Sequence, residues 1–202
     1  MSRALIIFVR NPELGKVKTR LAAQIGAEKA LQVYEKLLEH TRVVASGTPC
    51  AKYVFVTEPL TISRWETFHQ ENQINATLGE RMLHAFELLF ARGYNQVVII
   101  GSDCPGLTSS HINAAFESLE RDDVAIGPAK DGGYYLLGLK KLYAPIFRDK
   151  KWSTSSVFED TMASIKVLRL SCHVLGMLTD VDEEEDLPQS WRNGLSFSPD
   201  FT

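Results

Sequence analysis

The sequence predicts an α/β fold in which a mostly parallel sheet is covered by helices on both faces. Three observations predict it. Short apolar runs too brief for a helix recur along the 202 residues and alternate with longer stretches of helical spacing. Two of those runs open directly into polar, chemically dense turns, the place where ligands of open α/β sheets bind. No repeat, low-complexity segment or Pro/Gly/Ser linker divides the chain, so residues 1–202 read as one domain with a polar tail from about 192.

Taken in order, Ala4 to Val9 is the first strand. Gly26 to Ser46 carries Ala30, Val33, Tyr34, Leu37, Leu38, Thr41 and Val44 at helical spacing. Tyr53 to Thr57 is rich in β-formers and predicts a second strand. Ile62 to Gln70 is a weaker helix. Thr77-Leu78-Gly79-Glu80 is a capping box that opens a helix ending before Gly93. Val97 to Ile100 is a strand. Thr108 caps the next helix, with Leu107 and Ile112 spaced as a hydrophobic staple. Val124 to Ile126 and Tyr134 to Leu139 are strands joined by a loop over 127–133. A hairpin there makes the sheet mixed. Ser153 to Ile165 predicts a helix, Lys166 to Leu170 a strand and His173 to Leu178 an extended segment. Asp182 caps a short acidic helix, and the chain after Trp191 is irregular.

Bulk properties narrow the function classes. The net charge of −3 exerts no global pull on nucleic acid or membrane, so any basic function is local. No apolar stretch approaches the length of a bilayer span. Cys50, Cys104 and Cys172 are odd in number, widely spaced and free of CxxC, which fits a reducing, cytoplasmic setting. His40, His69, His84, His111 and His173 form no metal-ligand pattern.

The chemistry concentrates in four segments. After the first strand, Gly15 lets backbone approach a ligand, and Lys16, Lys18 and Arg20 alternate. In an extended loop they share one side and suit phosphate; a solvated charged loop has the same spacing. There is neither a GxxxxGK[ST] nor a GxGxxG pattern. After the Val97–Ile100 run, Gly101-Ser102-Asp103-Cys104-Pro105 puts one carboxylate at a strand tip. It suits Mg²⁺, or an Asx turn that holds the loop. Cys104 has no histidine partner in sequence and reads as a small buried hydrophobe. Asp131-Gly132-Gly133 offers free backbone N–H groups, or simply a hairpin turn. Tyr134 and Tyr135 then point to opposite faces. Asp180 and Asp182 alternate beside an acidic helix start, so both face one side.

Together these segments are more specific than any one. The chain resembles the nucleotide-diphospho-sugar transferase superfamily, with its glycosyltransferase-A type fold. More closely, it is similar to a bacterial glycosyltransferase-like family of unsettled reaction. The pieces lie in order over nearly the whole chain. They are Phe8-Val9-Arg10-Asn11-Pro12 with Gly15-Lys16-Val17-Lys18-Thr19-Arg20-Leu21, then Leu78-Gly79-Glu80-Arg81-Met82, and Gly101-Ser102-Asp103-Cys104-Pro105. Gly127 to Tyr135, Trp152-Ser153-Thr154-Ser155, and Asp180-Val181-Asp182 with Glu185-Asp186-Leu187 follow.

The resemblance implies a Rossmann-like mixed sheet that binds a nucleotide in its N-terminal half. It implies Mg²⁺ or Mn²⁺ on Asp103 and Asp182, with Lys18 and Asp103 as catalytic groups. It places Arg10, Gly15, Lys16, Lys18, Thr19 and Arg20 on phosphates. Arg81, Asp131, Gly132, Gly133, Tyr134, Ser153 and Thr154 are then substrate-binding. The Lys-Thr-Arg-Leu piece also resembles phospholactate guanylyltransferases. Two departures matter. The Leu-x-Gly-Gly loop that clasps the base in many relatives is missing, and position 10 is arginine where the closer family has lysine. The base therefore stays open.

The expectation is a metal-dependent transferase with a nucleotide-activated donor, coupling a nucleoside triphosphate to a phosphorylated small-molecule acceptor. Glycosyl transfer from a nucleotide-sugar is the alternative, and a non-catalytic nucleotide-binding protein the second. The sequence leaves oligomeric state open.

Overall fold

The computed structural model describes residues 2–60 and 65–192. Its strands are β1 (Arg3–Val9), β2 (Ala51–Val56), β3 (His69–Asn72), β4 (Gln96–Ile100), β5 (Val124–Pro128), β6 (Tyr134–Leu139) and β7 (Cys172–Val174). Its α-helices are α1 (Thr19–Ile25), α2 (Ala27–Ser46), α3 (Leu78–Ala91), α4 (Ser109–Ser118), α5 (Val157–Val167) and α6 (Gln189–Arg192).

The strands form one sheet in the order β3-β2-β1-β4-β6-β5-β7. Only β6 runs against its neighbours, antiparallel to both β4 and β5. The mixed, mostly parallel sheet predicted from the Asp131-Gly132-Gly133 hairpin is thus present. Because every strand but β6 points the same way, the chain after β1, β4, β5 and β7 emerges along one edge of the sheet. The turn entering β6 lies on that edge too.

Alternation along the strands builds two cores. Leu5, Ile7 and Val9 face one side with Tyr34, Leu38, Ile112, Phe116 and Tyr135. Ala4 and Ile6 face the other with Met82, Phe86, Leu89, Ile126 and Ile165. Helices α2 and α4 therefore cover one face, and α3 and α5 the other. Tyr135 and Tyr134 divide between the two faces as their alternation predicts. A third cluster joins Leu21, Val33 and Leu37 to Val181 and Leu187, pinning the late acidic segment against α1 and α2.

Several predicted elements differ. His69–Asn72 is a strand rather than the end of a helix, because pairing with β2 overrides its polar sequence. Residues 62–64 of that predicted helix lie outside the described residues. The Ser153 helix starts only at Val157, since Ser153 takes a left-handed conformation (φ 62°) that an α-helix does not accept. Lys166 to Leu170 is not a strand: α5 runs to Val167, and Arg169 (φ 53°) turns the chain toward β7. β5 takes in Gly127 and Pro128, which the sequence placed in a loop. The acidic run forms only a short 3₁₀ turn over Glu184–Asp186, capped by Glu183 instead of Asp182. The predicted irregular tail beyond Arg192 lies outside the described residues.

Candidate active site

The edge where the parallel strands end opens into a cleft of about 890 Å³. Its lining draws on nearly every segment singled out in the sequence. Arg10, Lys16, Lys18, Thr19 and Arg20 come from the chain after β1, and Arg81 from the first turn of α3. Asp103 follows β4; Asp131, Gly133 and Tyr134 belong to the β5–β6 hairpin. Ser153, Thr154 and Asp182 complete the set. Gly15 and Gly132 do not line it. Gly15 (φ 74°) shapes the turn, while Gly132 (φ 88°) packs against the Ser155 backbone so closely that a Cβ would collide.

Lys18 is the hub. It holds a left-handed backbone (φ 48°, ψ 45°) at the start of α1, unusual for a residue with a side chain. Only 6 % of its side chain is exposed. Its Nζ lies 2.9 Å from Asp103 Oδ1 and 3.6 Å from Asp182 Oδ1, and donates to the Val181 carbonyl at 2.7 Å. The Val181 N–H in turn donates to the Asp103 carbonyl at 2.9 Å. Three chain segments distant in sequence are thereby tied together. Val181 is fully buried, which explains why Asp180 and Asp182 both turn outward into the cleft. Burial, with Asp103 and Asp131 nearby and Lys18 opposing, pushes the Asp180 carboxyl up to about 7.

The cationic turn does not adopt the extended form predicted for it. Helix α1 begins at Thr19 and Lys18 is left-handed, so Lys16, Lys18 and Arg20 are not spaced along an extended segment, although all three line the cleft. Lys16 is exposed and paired with Glu13 at 2.5 Å. Arg20 is also exposed, 3.8 Å from Asp182. Lys18 alone is drawn inward.

Around this hub the cleft is rigidly framed. The Tyr34 hydroxyl accepts from the Arg10 N–H at 3.2 Å and donates to the Arg10 carbonyl at 3.1 Å, fixing the chain as it leaves β1. Arg81 Nη1 donates to Gln73 Oε1 at 3.0 Å. Asp131 Oδ1 accepts from the Gly133 N–H at 2.8 Å, so this carboxylate already serves the hairpin turn. Trp152 packs on Gly79, where any Cβ would strike the indole. Cys104 is buried, and burial pushes its thiol up to about 12, unsuited to nucleophilic attack. The sequence reading missed Tyr34 and Gln73 as site residues. Tyr34 has the apolar spacing of a helix core and carries its hydroxyl to the rim; Gln73 had no signal.

The donor set fits a hard divalent cation. Asp103 and Asp182 already converge on one buried positive charge, with Asp180 beside them. Among the described residues no three His, Cys, Asp or Glu side chains form a ready cage. Mg²⁺ commonly needs only one or two carboxylates when substrate phosphates and water supply the rest.

Several solved structures share this fold. The chain is similar to one from Desulfovibrio desulfuricans G20, provisionally named a nucleotide-diphospho-sugar transferase. They are 29 % identical with a TM-score of 0.84, covering 95 % of this chain and 91 % of the other. The 4-diphosphocytidyl-2C-methyl-D-erythritol synthase of Anaerococcus prevotii DSM 20548 shares the fold at 10 % identity and a TM-score of 0.61, covering 92 % of each chain. The inositol-1-phosphate CTP transferase of T. maritima does so at 12 % identity and 0.59, covering 96 % of this chain and 95 % of the other. No curated protein matches. These matches show a fold shared with nucleotide-diphospho-sugar transferases and nucleotidyltransferases. The chain belongs to the family described as "Uncharacterized protein conserved in bacteria (DUF2064)", whose model matches residues 31–154.

Proposed function

We propose that the chain is a metal-dependent nucleotidyltransferase that couples a nucleoside triphosphate to a phosphorylated small-molecule acceptor. The observation that carries this reading is the convergence of Asp103, just after β4, and Asp182, in the segment that follows β7, on one buried cationic point. Carboxylates gathered at the carboxyl edge of a sheet suit a cation that arrives with phosphate.

Asp103 and Asp182 hold Mg²⁺ or Mn²⁺. When bound, the ion neutralises charge on the phosphate oxygens. An acceptor phosphate oxygen attacks the α-phosphorus of the triphosphate, the α–β bridging bond breaks, and pyrophosphate leaves with its electron pair. Lys18 contributes a positive charge that water screens little, since its side chain is buried. Lys16 and Arg20, at the mouth, draw in the polyanion. Gly133, Tyr134, Ser153 and Thr154 shape the acceptor side. The chemistry needs no covalent enzyme intermediate, and the inert Cys104 agrees with that. No helix among the described residues is long and apolar enough to cross a membrane, and a small diffusible acceptor suits an open cleft.

Titration calorimetry with nucleoside triphosphates, with and without Mg²⁺, tests the assignment. Asp103→Asn is expected to abolish the metal-dependent part of nucleotide binding; unchanged affinity would sink the metal role. Glycosyl transfer is the second reading, favoured by the name given to the Desulfovibrio relative. It predicts release of a nucleoside diphosphate from a nucleotide-sugar instead of pyrophosphate from a triphosphate.

A further inference from the structure

Two cations in the cleft are left without an anion. Lys16, Lys18 and Arg20 each face a carboxylate. Arg10 and Arg81 line the same cleft, yet among the described residues no carboxylate lies within 4.0 Å of either guanidinium. Arg81 is held in one orientation. Its Nη1 rests on Gln73 Oε1 at 3.0 Å, and Gln73 is itself pinned. The Gln73 Nε2 donates to the Phe55 carbonyl at 2.8 Å and its backbone N–H to the Val56 carbonyl at 2.7 Å. Arg81 Nε is buried and has no acceptor.

This placement works against stability in three ways. Burial, then the nearby Arg10 charge, disfavour the charged form of Arg81. An arginine in the first turn of α3 also faces the positive end of the helix dipole. A buried donor without an acceptor adds its own desolvation cost. One anion between the two arginines relieves the charge terms together. The position is also distinct: Arg10 follows β1, Gln73 follows β3 and Arg81 opens α3, all on the β3-β2-β1 side of Asp103.

We propose that Arg10 and Arg81 form a phosphoryl seat, separate from the carboxylate pole, with Gln73 as the positioning residue that presets the Arg81 fork. It rests on the transfer reading above only for the identity of the substrate that brings the phosphate. The seat adds to the phosphate contacts that the sequence spacing suggested for Lys16, Lys18 and Arg20.

Calorimetry in EDTA with inorganic pyrophosphate and with inorganic phosphate tests it on the full chain. Arg10→Gln and Arg81→Gln are each expected to weaken pyrophosphate binding about tenfold or more, as loss of a charge-assisted bond should. Lys166→Ala, an exposed lysine outside the cleft, should stay within about twofold of wild type. Arg10 is exposed, so its variant reports on the seat even if Arg81→Gln compromises folding. Wild-type affinity in Arg10→Gln and in folded Arg81→Gln, or a wild-type protein that binds neither anion, overturns the seat. Competition assigns the source. Pyrophosphate displaced by a mixture of the four nucleoside triphosphates with Mg²⁺ upholds a seat for the donor's polyphosphate. Phosphate that binds alongside those triphosphates upholds a seat for the acceptor. Arginine-dependent pyrophosphate binding with no triphosphate consumed by any acceptor upholds the seat and sinks the transferase reading.

Discussion

Lys18 carries three burdens at once: a left-handed backbone, a buried ammonium and two carboxylate partners. A non-glycine residue in that conformation costs about 1–2 kcal/mol, and the surrounding contacts must offset it. Replacing Lys18 with Met leaves Asp103 and Asp182 facing each other, with Asp180 alongside. Both ion-paired carboxylates are more than 40 % exposed, so water softens the repulsion. A loss of about 1–2 kcal/mol is expected in EDTA. Mn²⁺ should restore more melting temperature to Lys18→Met than it adds to wild type, because the ion then replaces the missing charge. Differential scanning fluorimetry reads both, and a variant that melts like wild type in EDTA would remove Lys18 from the hub. The lysine and both carboxylates stood out in sequence because each follows an apolar run or alternates across it. What the spacing did not contain was the left-handed turn at Lys18. It separates this lysine from Lys16 and Arg20, and no residue type announces it as glycine would.

At the scale of elements, the clearest sequence signal was the Thr77 capping box. Glu80 accepts from the Thr77 N–H at 2.9 Å, and Thr77 Oγ1 accepts from the Glu80 N–H at 3.4 Å. Thr77→Ala should cost about 1 kcal/mol, measured by urea denaturation, and disturb Arg81 only through fraying of α3. The β5–β7 side is clipped by Asp123. Burial alone would raise its pKa, but the Ser171 N–H, the Tyr143 hydroxyl and Lys140 outweigh that and hold it at about 2. A depressed carboxyl stabilises above its unfolded value of about 3.9 and loses that effect as pH falls toward 2. Asp123→Asn should therefore melt below wild type at pH 7, with the gap closing between pH 4 and pH 2. A gap that is constant across that range would mean the charge is not what matters. Gly132 is the third case. Any side chain there meets the Ser155 backbone at positive φ, so Gly132→Ala should cost about 1–3 kcal/mol and shift the Trp152–Ser155 segment off the cleft. Strands and helices with clean periodicity were legible in the sequence. β3 was not, because its polar His69-Gln70-Glu71-Asn72 is a strand only by virtue of β2 beside it.

For the whole molecule, alternation of elements was enough to predict a mostly parallel sheet, and one Asp-Gly-Gly hairpin to predict the reversed β6. Strand order was beyond reach, since β1 lies between β2 and β4 for reasons of tertiary packing alone. The site follows from that order: Asp103 and Asp182 meet only because β7 is carried back beside β5 and Val181 is buried against α1 and α2. The most direct test of the account is turnover. Purified protein is incubated with Mg²⁺, the four nucleoside triphosphates, a set of nucleotide-sugars and a pool of phosphorylated small molecules, and the products are followed by phosphorus NMR and mass spectrometry. The account predicts Mg²⁺-dependent release of pyrophosphate with a new nucleotidyl product, lost in Asp103→Asn. Release of nucleoside diphosphate from a nucleotide-sugar with no triphosphate consumed would contradict it.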